Sequence, residues 1–155
     1  MGLGNRGFFA VPAVAGLVAL TCGIGFRNGG QELVEVELRR GEKQVRLLAL
    51  RDTGNTLTDP VTGKSVLVAD AQSAETLLGL TRAQLADPVG TLASGILPGL
   101  RLIPYRAVGV AGGMLLAIRM EGVRIGNRTG EQLVAFAPEG LGGDGTYRAL
   151  TGGMA

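Results

Sequence analysis

Apolar and charged positions alternate along residues 32–39, where Val34, Val36 and Leu38 are interleaved with Glu35, Glu37 and Arg39. A period of two predicts a strand with one buried face. Arg40-Gly41-Glu42 reads as a turn. Residues 43–50 read as a second strand that ends in the wholly apolar run Leu47-Leu48-Ala49-Leu50. The pair forms a hairpin that carries Arg51-Asp52-Thr53-Gly54-Asn55 toward the interior. Downstream, residues 59–64 predict a turn and residues 65–68 a short strand. Residues 71–78 have a helical pattern, and Thr81-Arg82-Ala83-Gln84 fits a capping box that opens another short helix. Residues 100–110 predict a strand with Pro104 inside it, hence an edge or a bulge. Two strands, residues 114–120 and 123–125, flank Glu121-Gly122, which predicts a hairpin turn between them. Residues 133–137 form a further strand that Pro138 ends, glycines break residues 140–145, and residues 147–150 are a short closing element.

Residues 8–26 depart from this pattern, since all 19 are uncharged. As a helix they would extend about 28 Å, close to the hydrocarbon thickness of a bilayer. Pro12, Gly16 and Gly23 would weaken a soluble helix but are tolerated in a membrane. The alternatives are a cleaved signal peptide starting at Arg6 and a buried core helix. The reading adopted is a transmembrane segment over residues 1–28, followed by a single domain over residues 29–155. Arg27, Arg39, Arg40, Lys43 and Arg46 follow the span, against Arg6 before it. The positive-inside rule then places the carboxy-terminal domain in the cytoplasm, with membrane lipid as a partner of the span.

Composition narrows the chemistry. Low charge (18%) and 27 glycines in 155 residues suit a loop-rich β fold rather than long helices. A net charge of +2 gives no argument for nucleic acid. With no histidine, the chain cannot form a Ser/His or Cys/His pair or a histidine zinc site. Cys22 is single, so no intrachain disulfide is possible, and no metal or cofactor is expected.

Three readings of Asp52-Thr53-Gly54-Asn55 remain at this level. In the first, the triplet is half of an aspartic peptidase site. That chemistry needs two carboxylates close enough to share a proton. One triplet per chain then requires two chains about a two-fold axis. Asp52 would be the catalytic group, with Thr53, Gly54 and Asn55 supporting the loop. In the second, Asp52-x-Gly54-x-Thr56 grips a phosphate, as in actin-like ATPases, although the chain is short for two lobes. In the third, the stretch closes a turn. Asn55 either satisfies loop backbone groups or touches substrate, and Asp59 before Pro60 reads as a turn former rather than a second catalytic acid. Tyr105 and Arg106 lie on a strand that could border a cleft. Val108, Gly109, Gly112 and Gly113 belong to a candidate mobile stretch.

A longer run is more specific: Asp52-Thr53-Gly54-Asn55, a short gap, Asp59-Pro60, a turn, then the Val66-Leu67-Val68 strand. With Arg101-Leu102-Ile103-Pro104-Tyr105-Arg106 and Asp144-Gly145-Thr146-Tyr147-Arg148-Ala149-Leu150, it resembles the sporulation sigma-E factor-processing peptidases, membrane-bound aspartic peptidases of endospore formers. The resemblance covers residues 41–150. It implies a mainly β, retroviral-protease-like fold with one or two short helices, acting as a homodimer through Asp52. The implied substrate is a sigma-factor precursor that loses its amino-terminal pro-sequence. The implied trigger is a secreted forespore protein sensed through the membrane domain, on the mother-cell side of the sporulation septum. Two features depart from the family. One candidate span stands where the family has several, so Met1 reads as an internal start or fragment boundary. Arg51 occupies a position where related sites have an apolar residue, and strand alternation points it away from Asp52. A non-catalytic binding module of the same fold is the rival from another class.

Overall fold

The computed structural model describes residues 31–52, 57–107, 110–141 and 145–152. The transmembrane segment expected over residues 1–28 lies outside them. Among the described residues no helix is long and apolar enough to cross a membrane.

The chain is mainly β. Strands β1 (Gln31–Arg40) and β2 (Lys43–Asp52) form the expected hairpin, closed by a tight turn in which Gly41 takes a φ of +63°. That left-handed conformation favours glycine. β3 is Leu67–Ala69, and three short helices follow: α1 (Ala71–Leu78), α2 (Arg82–Ala86) and α3 (Pro88–Ser94). β4 (Arg101–Ala107), β5 (Val110–Ile125), β6 (Arg128–Phe136) and β7 (Ala149–Thr151) complete the order. The strand order β1-β2-β7-β3-β6-β5 closes on itself through pairing of β5 with β1, giving a six-stranded mixed barrel. β4 hangs on β5 as an edge strand, as Pro104 predicts, with a register shift beyond Tyr105.

Local signals account for the helices. Thr81 and Gln84 make the reciprocal bonds of the predicted capping box. Asp70 caps α1 by accepting from the Ser73 amide, and Gly79 ends that helix at φ +73°. α3 exceeds the one or two helices expected. Its start is written in Asp87-Pro88, an N-cap followed by proline at the first helical position.

One element differs from expectation. Glu121-Gly122 is not a hairpin turn but a bulge within β5, because Met120 and Val123 face Gln132 and Gly130 across an uneven step. The bulge bends a 16-residue strand so that its first part pairs with β4 and its last part with β1. Gly122 is needed there: an added Cβ would lie 3.0 Å from Arg39 Cβ and 3.3 Å from the Arg39 carbonyl. The actual β5–β6 turn is Gly126-Asn127, with Gly126 at φ +61° and its amide donating to the Glu35 carbonyl.

Two apolar clusters share the sheet. The first draws Val36, Leu38, Leu47, Ala49, Leu116 and Phe136 together with Leu77 and Leu85 of the helices. The second lies on the opposite side chains of β3, β5 and β6, namely Val68, Leu115, Ala117, Leu133 and Ala135, with Val66 just before β3 and Ile103 of β4. Strands buried on both faces lose alternation, which is why residues 133–137 and 66–69 read as continuous apolar runs.

Candidate functional site

β2 is paired on both of its edges close to its last residue. Its side chains Leu47 and Ala49 are buried in the first cluster. β1 pairs antiparallel along its whole length, matching Gln31 with Asp52 and Glu32 with Arg51. On the other side β7 runs parallel, matching Ala49 with Ala149 and Arg51 with Thr151. Asp52 therefore closes a strand flanked on both sides. Thr53, Gly54 and Asn55 lie outside the described residues.

Arg51 donates from Nη1 to Glu32 Oε1 at 2.8 Å. Its Nε is buried and finds no acceptor among the described residues. Arg51 is thus tied to the first residues of β1.

The chain returns through a small hairpin over residues 57–66. The Val66 amide donates to the Leu57 carbonyl, Thr58 bridges Ser65, and the Asp59 amide donates to the Lys64 carbonyl. Gly63, at φ +72°, closes the turn on the Asp59 carbonyl. The Asp59 side chain is buried, only 2% exposed, yet fully partnered. Its two oxygens accept from Arg101 Nη2 at 2.7 Å and Nη1 at 3.0 Å. They also accept from the Val61 amide and the Thr62 hydroxyl, each at 2.9 Å. The Arg101 hydrogen bond, then the Val61 amide, hold its carboxyl down to about 2, against the opposing effect of burial. Asp59 is a turn former, as expected. It is also the buried half of an ion pair with a partly exposed residue 42 positions away, which spacing along the chain cannot reveal.

A second bidentate pair braces the other neighbour of β2. Arg148, one residue before β7, donates to Asp70 from Nε at 2.6 Å and from Nη2 at 3.3 Å, and its amide donates to the Leu48 carbonyl. Burial works against ionising Asp70, but the bonds from Arg148 and Ser73 outweigh it and keep its carboxyl below the usual range. One arginine thus links β2, β7 and the cap of α1.

Tyr105 is half-buried against the second cluster, and burial raises its hydroxyl pKa. Its ring covers Gly113, where an added Cβ would meet ring carbon Cε1 at 2.9 Å. Arg106 is exposed. A polar cavity of about 20 Å³ lies between Asp59, Lys64, Glu131 and Gln132. It has room for one water and not for a peptide.

Residues 25–152 match the family model described as Sporulation factor SpoIIGA. The chain is similar to a putative sporulation sigma factor-processing peptidase of Bacillus thuringiensis subsp. kurstaki, at 28% identity over 131 residues covering 77% of this chain and 81% of that protein. It is similar to the sporulation sigma-E factor-processing peptidase of Priestia megaterium, at 31% identity over 100 residues, 61% of this chain and 33% of that protein. The protein so named in Bacillus subtilis is 26% identical over 133 residues, 77% of this chain and 43% of that protein. The chain thus spans less than half the length of the last two relatives. No solved structure matches it.

Proposed function

The chain belongs to the SpoIIGA family of sporulation sigma-factor-processing peptidases, and we propose that it is an aspartic endopeptidase that acts as a homodimer on a sigma-E precursor. The observation that carries the proposal is the position of Asp52: inside the family match, at the last residue of a strand held between β1 and β7. The closed β barrel suits a retroviral-protease-like domain.

In this reading, the Asp52 carboxyls of two chains face each other and share one proton. The ionised carboxyl takes a proton from water, and the water oxygen bonds to the scissile carbonyl carbon. The protonated carboxyl gives its proton to the carbonyl oxygen. The C–N bond then breaks, the amine leaves with a proton, and the shared-proton pair is restored. Thr53, Gly54 and Asn55 would hold the two loops together across the axis. The precursor loses its amino-terminal pro-sequence. Residues 8–26 would tether the domain to the mother-cell side of the septal membrane, and a secreted forespore protein would supply the trigger through the membrane part.

Co-expression of a sigma-E precursor with this chain, beside its Asp52→Ala variant, tests the proposal. Cleavage that is lost in the variant is the expected result. Cleavage that persists in the variant removes Asp52 from the mechanism. Failure of both to cleave with the trigger also supplied favours the binding-module reading.

A further inference from the structure

We propose that Asp59 and Arg101 are positioning residues of the candidate site. Together they clamp the hairpin of residues 57–66 to β4 and so fix Leu57, the residue at which the chain returns from Asp52-Thr53-Gly54-Asn55. The catalytic consequence rests on the peptidase reading; the clamp itself does not.

The argument starts from strand geometry. Arg101, Ile103 and Tyr105 alternate along β4 and so project to one face. All three meet the same substructure. Arg101 grips Asp59 in the turn of the hairpin with two bonds. Ile103, fully buried, sits in the second cluster with Val66 and Val68. Tyr105 and Leu57 both pack against that cluster. β4 therefore meets the hairpin at its turn through Arg101 and shares the second cluster with its base.

The clamp holds the turn more firmly than local bonds would. Asp59 receives hydrogen bonds from Arg101, Val61 and Thr62, so its position follows β4 as well as its own turn. A planar guanidinium engaging both carboxylate oxygens also fixes orientation, which a point charge cannot do. Backbone bonds between Asp59 and Lys64 and between Val66 and Leu57 transmit that constraint down both legs of the hairpin. Seven positions separate Asp52 from Asp59 along the chain, and the hairpin is the first described segment after the candidate loop.

The test compares Asp59→Asn, Arg101→Lys and the double variant Asp59→Asn/Arg101→Met with the parent chain, at temperatures where all are folded by circular dichroism. The double variant leaves no unpaired buried charge, so it separates positioning from simple destabilisation. Two readouts are taken. In precursor cleavage, Asp59→Asn and the double variant are expected to lower kcat about tenfold or more, with KM changed less than about threefold, as misplacement of a reacting group would do. Arg101→Lys is expected to fall between. In amide hydrogen exchange, Asp59, Gly63 and Val66 are expected to exchange about tenfold faster or more in Asp59→Asn, while Leu116 and Val134 in the barrel stay as in the parent. Folded Asp59→Asn protein with kcat within about twofold of the parent would overturn the catalytic role. Unchanged exchange at those three amides would overturn the clamp. If the parent cleaves nothing even with the trigger supplied, the peptidase reading fails and the exchange measurement alone decides the clamp.

Discussion

Removing the Phe136 ring should be the most damaging single truncation in the barrel. Phe136 is the last residue of β6, fully buried, paired with Leu116 of β5 and Ala69 of β3. It belongs to the cluster that also contains Leu47 and Ala49 of β2, so it supports the strand that ends at Asp52. Phe136→Ala forfeits about 2–3 kcal/mol of burial free energy for the lost ring. The space left behind adds about 24 cal/mol per Å³, so a residual cavity of ~80 Å³ contributes ~2 kcal/mol more. Paired strands on both sides resist collapse into that space. The expected loss is therefore about 4–5 kcal/mol, a large part of the ~5–15 kcal/mol that holds a domain folded. Urea unfolding followed by circular dichroism measures it, with the midpoint falling and the slope unchanged. Val61→Ala, at a residue 78% exposed, is the control and should change stability by less than about 0.5 kcal/mol. A loss below about 1.5 kcal/mol for Phe136→Ala would refute the closed, tightly packed barrel.

Two other expectations follow from specific contacts. The urea midpoint should fall on acidification from pH 4 to pH 2: Asp59 is held at about 2, and Asp70 and Glu37 are also lowered, so the unfolded chain binds more protons and their stabilisation disappears through this window; a midpoint flat or rising on acidification contradicts the pairs with Arg101, Arg148 and Arg46. Gly112→Ala should cost about 1–3 kcal/mol, because its Cβ would lie 2.6 Å from the Tyr105 carbonyl oxygen; Gly140→Ala, with open space around it, should be near neutral, and equal thermal midpoints for the two would contradict the close approach of β4 and β5.

Local chemistry made much of this fold legible. Gly41 between two alternating runs, the Thr81–Gln84 capping box and Pro104 on an edge strand each act within a few residues, and each appears where expected. Glu121-Gly122 misled because glycine there answers to a distant neighbour. It admits Arg39 of β1 where the barrel closes, a demand invisible along the chain. Gly126-Asn127, a two-residue turn signal of the usual kind, was the better candidate. The parallel pairing of β7 with β2 is equally non-local. At the site, Asp52 could be singled out because an apolar run leads into it. The partners of Asp59 and Asp70, Arg101 and Arg148, lie 42 and 78 positions away and become visible only once the strands are paired.

The central claim is that one carboxyl per chain suffices because two chains share the work. Its most direct test is precursor cleavage by a fixed amount of active chain as Asp52→Asn chain is added. Random mixing into closed two-fold dimers predicts activity of about one-half at equal amounts and about one-tenth at a ninefold excess of the variant. Activity that stays constant as the variant is added would contradict the account.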